Sequence, residues 1–263
     1  MLPVKAVRSF VGRANHAAGL LLVLRPFLHS IWGAIFGDNG GAPPNTIWRK
    51  QIAHALSWLQ AFFDGERNGL ERNFTLQELN ASGPQWEIGT DASPWGMGGW
   101  LSCDGEVVKY FACPVTEEDL TTFSLERGSC VGQQILKGLA ILIALRIWND
   151  GDDAKVLRLN VRGDNVGALM LLIKMRPTSV HQAIIARELA VITAKAAFPP
   201  TVSHTPGVAH KLADGLSRVE DPKHKDSSIL QHPALRCATG TDVPTRTASW
   251  YRTLRDPSRE AEG

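Results

Sequence analysis

Three aspartates stand where the chain could bring carboxylates together. Asp91 ends the alternating run at 86–91, and a turn through Ser93-Pro94 leads into the glycine-rich run at 96–103. Asp164 ends the apolar run at 155–163, and Asp214 lies in a short helical stretch, 208–217. A carboxylate on a buried strand is costly unless something pairs with it, and a metal ion is one such partner. Adjacent strand ends lie about 5 Å apart in a sheet. Asp91 and Asp164 can therefore share a cation if their strands run parallel and adjacent, and a helix packed at that edge adds Asp214. Oxygen-only ligands suit Mg²⁺, with Mn²⁺ as the alternative. Two such ions in one site clamp the attacking and leaving oxygens of a phosphodiester.

The elements that must position these acids follow from periodicity and turn chemistry. Strands are expected at 86–91, 96–103 and 106–112, the last two joined by Asp104-Gly105, a strong hairpin signal. A loop at 113–130 precedes a long helix over 132–148. A fourth strand at 155–163 is followed by helices at 165–174 and 179–197, a short strand at 201–204, and the last helix. This order predicts a mixed sheet flanked by helices. The front of the chain reads as all helix. Val7, Phe10, Val11, Ala14 and Ala18 form one apolar stripe, and Pro26 opens a second helix carrying Phe27, Ile31, Trp32 and Ile35. Asn45 is suited to cap a third helix, over 46–63, with Trp48, Ile52, Leu56, Leu59 and Phe63 on its apolar side. The reading divides the chain into a helical subdomain (1–65), a linker (66–84), an α/β domain (85–218) and a weakly ordered tail (219–263).

Composition is that of an ordinary globular protein, with 44% hydrophobic and 21% charged residues. The net charge of +2 is unevenly spread. Residues 1–70 hold seven Lys/Arg against three Asp/Glu, and residues 71–198 hold 12 against 15. A basic front beside an acidic middle suits a polyanion-holding arm next to a metal site. Lys5, Arg8, Arg13 and Arg49 are the candidate phosphate contacts. The four cysteines, at 103, 113, 130 and 237, form no C-x-x-C pair, so free thiols are expected rather than zinc. The apolar run at 19–24 is too short to span a bilayer and has no cleavage-site pattern, so neither membrane nor secretion is expected. Gly151-Asp152-Asp153 reads as a solvated turn.

The flanking motifs carry a resemblance. Thr90-Asp91-Ala92-Ser93, Gly163-Asp164-Asn165, and His204-Thr205-Pro206-Gly207 through Ala213-Asp214-Gly215-Leu216-Ser217-Arg218 are similar to a type 1 ribonuclease H domain attached to a retroelement reverse transcriptase. The last segment resembles the H-x-P-G…N-x-x-A-D-x-L-S-R ending of tyrosine-recombinase and related retrotransposon polyproteins. Residues 1–63 resemble the thumb and connection helices that follow a polymerase palm. The resemblance implies a ribonuclease H-like mixed five-stranded sheet flanked by helices, preceded by a small all-helical subdomain. It implies an intracellular endonuclease that hydrolyses the RNA strand of RNA–DNA hybrids with two Mg²⁺ ions, and a polymerase part elsewhere in a longer polyprotein. Asp91, Asp164 and Asp214 become metal ligands, and His204 aids product release or proton transfer. Ser93 and Asn165, beside the acids, become candidates for substrate contact.

Two departures bear on that reading. The family places a Glu on the long helix where this chain has Lys137, and His210 stands where the family usually has Asn. Lys137 either destroys the second metal site or pairs with Asp91 and Asp164 as a built-in cation. Both readings predict weak or absent cleavage. The functions left open are a ribonuclease H, an inactive remnant that binds nucleic acid, and a purely structural domain.

Overall fold

A computed structural model describes residues 1–38, 40–65, 83–149, 159–195, 200–223, 227–255 and 257. In chain order the strands are β1 (Leu2–Pro3), β2 (Thr46–Ile47), β3 (Trp86–Ala92), β4 (Gly96–Cys103), β5 (Glu106–Pro114), β6 (Leu159–Gly163), β7 (Thr201–His204) and β8 (Thr239–Gly240). The helices are α1 (Val4–Ala17), α2 (Arg25–Phe36), α3 (Arg49–Phe63), α4 (Glu117–Phe123), α5 (Gln133–Asn149), α6 (Val166–Lys174), α7 (Val180–Lys195) and α8 (Lys211–Ser217). Short 3₁₀ turns punctuate the chain, chiefly in its last forty residues. The expected linker falls almost wholly on 66–82, and Gly151-Asp152-Asp153 with it, outside the described residues. No helix among the described residues is long and apolar enough to cross a membrane.

The described residues group into two compact units. One draws on 1–72, 174–195 and 251–263, and the other on 73–173 and 196–250. The first is helical. Phe27 stacks on Trp58 and meets Phe62 edge-on, between α2 and α3. Val7 and Val11 of the expected α1 stripe are buried, while Phe10 is left exposed. Helix α3 starts three residues later than the sequence suggests. Thr46–Ile47 pairs with Leu2–Pro3 instead, and Asn45 takes a positive φ of 60° rather than capping. Gln51 performs the cap, its side chain accepting the Trp48 N–H at 3.0 Å. Ala55, Trp58 and Phe62 are buried with Ile52 and Leu59, whereas Leu56 is half-buried and Phe63 exposed.

Helix α7 belongs to this helical unit, although chain order had placed it with the strands. Its side chains Ala183, Ile184, Ile185, Ala186, Leu189, Ala190, Val191 and Ile192 are all buried. A helix apolar on most sides needs apolar partners around it, and α7 finds α2 and the 3₁₀ turns Leu22–Leu24 and Arg252–Leu254. Glu188, fully buried on α7, accepts the Thr253 N–H at 2.6 Å and its hydroxyl at 2.7 Å.

The second unit is a mixed six-stranded sheet in the order β7-β6-β3-β4-β5-β8, flanked by helices. Strands β3, β4 and β5 form an antiparallel meander, and β6 and β7 add in parallel beside β3. The β4–β5 turn has Asp104 at φ 49° and Gly105 at φ 87°, the double positive φ of a type I′ turn. The long helix α5 is buried along Leu139–Leu145. Helix α4 occupies part of the expected loop, capped by Thr116, which accepts the Asp119 N–H at 3.2 Å. The expected last helix is split, a 3₁₀ turn at Gly207–Ala209 preceding α8.

The sixth strand comes from the segment expected to be a weakly ordered tail. Lys109 and Tyr110 on edge strand β5 pair with Thr239 and Gly240. An edge strand presents unpaired backbone groups, and a two-residue bridge satisfies some of them while leaving no sequence signature. The anchor of this segment is Arg246, which is buried. Its Nε donates to both carboxylate oxygens of Asp119 at 3.0 Å, and its Nη2 donates to Asp119 Oδ2 at 2.8 Å and to the Pro114 carbonyl at 2.6 Å. Breaking a buried, multiply bonded ion pair from one side leaves the other charge stranded. Arg246→Ala is therefore expected to cost about 3–5 kcal/mol of stability. Urea unfolding measures it, and a loss of about 1 kcal/mol or less would assign the pair the weight of a surface contact.

Candidate functional site

The acid pair is assembled by strand register. Gly89 on β3 pairs with Arg162 on parallel β6. Two residues further along both strands come Asp91 and Asp164, so the carboxylates leave the sheet side by side. Strand β7 is also parallel to β6, with His204 opposite Gly163. The carboxyl ends of β3, β6 and β7 thus lie along one edge, where ligands of open α/β sheets bind.

Lys137 reaches this edge from α5. Gln133, one turn earlier on the same helix face, donates to the Ala92 carbonyl at 3.3 Å and fixes the helix against the end of β3. The Lys137 ammonium then donates to both carboxylate oxygens of Asp164 at 2.6 Å and lies 2.9 Å from Asp91 Oδ1. Asp91 is 4% exposed, and its Oδ1 also accepts the Ala92 N–H at 2.8 Å. Burial pushes the Asp91 carboxyl above its ordinary value, and the Lys137 ammonium pulls it down without cancelling the effect. Burial works to lower Lys137, but its bonds to Asp164 and Asp91 outweigh that and leave the ammonium above its ordinary value.

Asp214 does not join this group. It lies on α8 and accepts from Arg218, one turn later, at 2.8 Å from both Nε and Nη2. That bond holds the Arg218 guanidinium above its ordinary value. His204 is exposed, with its Nε2 3.2 Å from the Asp164 carbonyl oxygen. Ser93 is buried at the β3–β4 turn. Its hydroxyl donates to the Ser217 carbonyl at 2.7 Å and accepts the Trp95 and Gly96 N–H groups, so it anchors α8 and has nothing left for a substrate. Asn165 Oδ1 accepts the Ala168 N–H at 2.9 Å and caps α6. Lys5, Arg8, Arg13 and Arg49 are exposed on the helical unit, with Arg8 5.2 Å from the Phe36 ring centroid.

Mg²⁺ does not fit beside Lys137. The ammonium already stands at hydrogen-bonding distance from three carboxylate oxygens. At about 4 Å and an effective dielectric of about 20, each added unit of like charge costs roughly 4 kcal/mol. The recess lined by Lys137, Asp164, Asn165 and Gly163 holds about 10 Å³, room for one water at most. Among the described residues, no group of three or more His, Cys, Asp and Glu side chains is arranged to hold a metal ion.

Two features of the site were not singled out as working parts of it from sequence. His210 is buried, and its ring nitrogen lies 2.8 Å from the Thr90 carbonyl, tying the loop after β7 to the strand that carries Asp91. A polar cluster of Glu87, Asn160, Arg162 and Ser203 sits on the same sheet face. Asn160 Nδ2 bridges Glu87 Oε1 and Ser203 Oγ at 2.9 Å, and Arg162 Nη1 meets Glu87 Oε2 at 3.2 Å. Its signal was the period of two: Glu87 and Asp91 share a face, as do Asn160, Arg162 and Asp164.

No protein-family model matches the chain, and no curated protein matches it. Among solved structures it is similar to RNase H1 from the halophilic archaeon Halobacterium salinarum NRC-1, with 18% identity and a TM-score of 0.37, over 52% of this chain and 96% of that one. It is also similar to a foamy viral protease-reverse transcriptase in complex with double-stranded DNA, with 13% identity and a TM-score of 0.30. That match covers 78% of this chain and 35% of the viral one, so the chain spans about a third of its length.

Removing the lysine tests the trio directly. Lys137→Met strands two carboxylates and is expected to cost about 3–5 kcal/mol. Because the ammonium is held above its ordinary value, its contribution is complete below about pH 10.4 and is lost as the pH rises through the raised value. The stability gap between wild type and variant in urea should stay level in the neutral range and close only in strong alkali. A gap that persisted unchanged there would assign it to packing of the lysine stem.

Proposed function

We propose that the sheet unit is a ribonuclease H-like nucleic-acid-binding domain of the retroelement reverse-transcriptase type. In this domain a lysine stands where divalent cations would serve hydrolysis. The strand order, the acids at the ends of β3 and β6, and the histidine loop after β7 support the ribonuclease H-like part. The observation that carries the second part is the Lys137 ammonium bonded to Asp91 and Asp164 at once. With that cation built in, the acid pair is stable without metal, and hydrolysis of an RNA–DNA hybrid through two metal ions is weak or absent.

A carboxylate at position 137 would remove the ammonium and return three acids to one edge. The expected outcome is that the wild-type chain leaves a hybrid essentially uncut in Mg²⁺ or Mn²⁺, whereas Lys137→Glu gains cleavage that Asp91→Asn abolishes. Equal cleavage by wild type and Lys137→Glu, with Asp91→Asn inactive in both, would refute the proposal and restore the hydrolytic reading.

The partner is a nucleic acid held through its phosphates. Lys5, Arg8 and Arg13 are exposed on α1, and binding of this kind is salt-dependent and blind to sequence. Replacing all three by alanine should flatten the slope of log K against log salt for a hybrid by about 2–3, close to 0.9 for each phosphate no longer neutralised. An unchanged slope would remove α1 from the interface.

A further inference from the structure

A second recess lies on the same sheet face as the acid pair. It measures about 290 Å³ and is lined by Glu87, Trp100, Ser102, Arg162, Thr205 and His210, among others. Glu87 stands four residues before Asp91 on β3, about 13 Å along the strand. The recess is built by two local features. Gly89, paired with Trp100, has no side chain, and a Cβ there would fall within 2.3–2.6 Å of Trp100 ring atoms. The indole is therefore laid over the strand. The register between β4 and β5 shifts between Leu101 and Ser102, a bulge of the kind that re-aims a side chain. Ser102 is 2% exposed, and its hydroxyl has no hydrogen-bond partner. Buried hydroxyls are nearly always paired, so an unpaired one on a residue that lines a cavity points to a missing partner there.

The lining also selects the ligand's chemistry. Arg162 is paired with Glu87 and reaches Thr205 Oγ1 at 3.4 Å, so the recess presents a neutralised pair rather than a free cation. A phosphate placed there would meet the Glu87 carboxylate. A flat, uncharged heterocycle with a polar edge meets an aromatic ring, a hydroxyl and a hydrogen-bonding ion pair. We propose that this recess takes one unpaired nucleobase, stacked on Trp100 with its polar edge toward Ser102 Oγ. Base–aromatic stacking tolerates any base and supplies much of single-strand affinity. The proposal rests on the nucleic-acid-binding reading and names the feature of the strand that this face recognises.

The test compares a tetranucleotide carrying 5-iodouracil with an abasic tetranucleotide of equal charge, on the full chain. The expected result is that the base-bearing strand binds about tenfold or more tightly than the abasic one, and that its photo-crosslink maps to Trp100. Trp100→Phe should keep most of that preference, and Ser102→Val should reduce it by about two- to tenfold while unfolding at the wild-type temperature. Equal binding of the two strands, no binding of either, a crosslink elsewhere, or an undiminished preference in folded Ser102→Val would each overturn the proposal. Equal binding of the two strands leaves hybrid binding through phosphates intact. Loss of hybrid binding with a retained base preference would instead count against the broader reading.

Discussion

One ammonium between two carboxylates is the constraint on which the sheet edge depends. Asp91 is almost wholly buried at the end of a central strand, and its Oδ1 has one backbone donor besides Lys137. Without a cation, it would be a charge in a low-dielectric site, with Asp164 adding repulsion beside it. Lys137 satisfies both acids, and α5 delivers it from a buried apolar face, with Gln133 adding a bond to the Ala92 carbonyl. The parallel register of β3 and β6 is part of the same arrangement. A slip of one residue would turn the acids to opposite faces and leave the lysine with one partner.

The rest of the edge is arranged around this trio without entering it. Helix α8 packs onto β4 at Gly98, where a Cβ would stand 2.5 Å from Leu216 backbone and side-chain atoms. Its far end is held by the Ser93 hydroxyl through the Ser217 carbonyl. Together these bring Asp214 near the edge, yet Arg218 on the next turn claims it. Each acid of the expected metal site is therefore paired with a protein cation, Asp91 and Asp164 sharing Lys137 and Asp214 taking Arg218.

Much of this edge was legible in the sequence. Asp91 and Asp164 ended runs with strand periodicity, so their placement at strand ends followed from pattern, whereas Lys137 was marked only by the resemblance, which places a Glu at that helix position. What was not legible depended on tertiary choices. Helix α7 is apolar on most sides and could have covered the sheet, but it packs among the helices of the other unit, and chain order gives no hint of that. Arg246 and Asp119 lie 127 residues apart, and neither has a local pattern that predicts a buried pair. Ser93 and Asn165 looked like substrate contacts because they flank acids. Ser93 is spent on its turn, and the Asn165 Oδ1 on a helix cap, roles that residues of these types commonly take. Short polar side chains next to a site are as often its scaffolding as its working parts.

The pairing also changes what the presence of the acids means. In a metal site, aspartates at 91 and 164 would be kept for the ion they bind. Here they are required by the lysine as well. Replacing either one removes a hydrogen-bonding partner from an ammonium that is largely buried, and replacing the lysine strands both acids. The three residues are energetically locked together, so any single change away from the trio is costly whether or not the edge performs chemistry. Asp214, partly exposed and paired within one turn of helix, is under no such constraint.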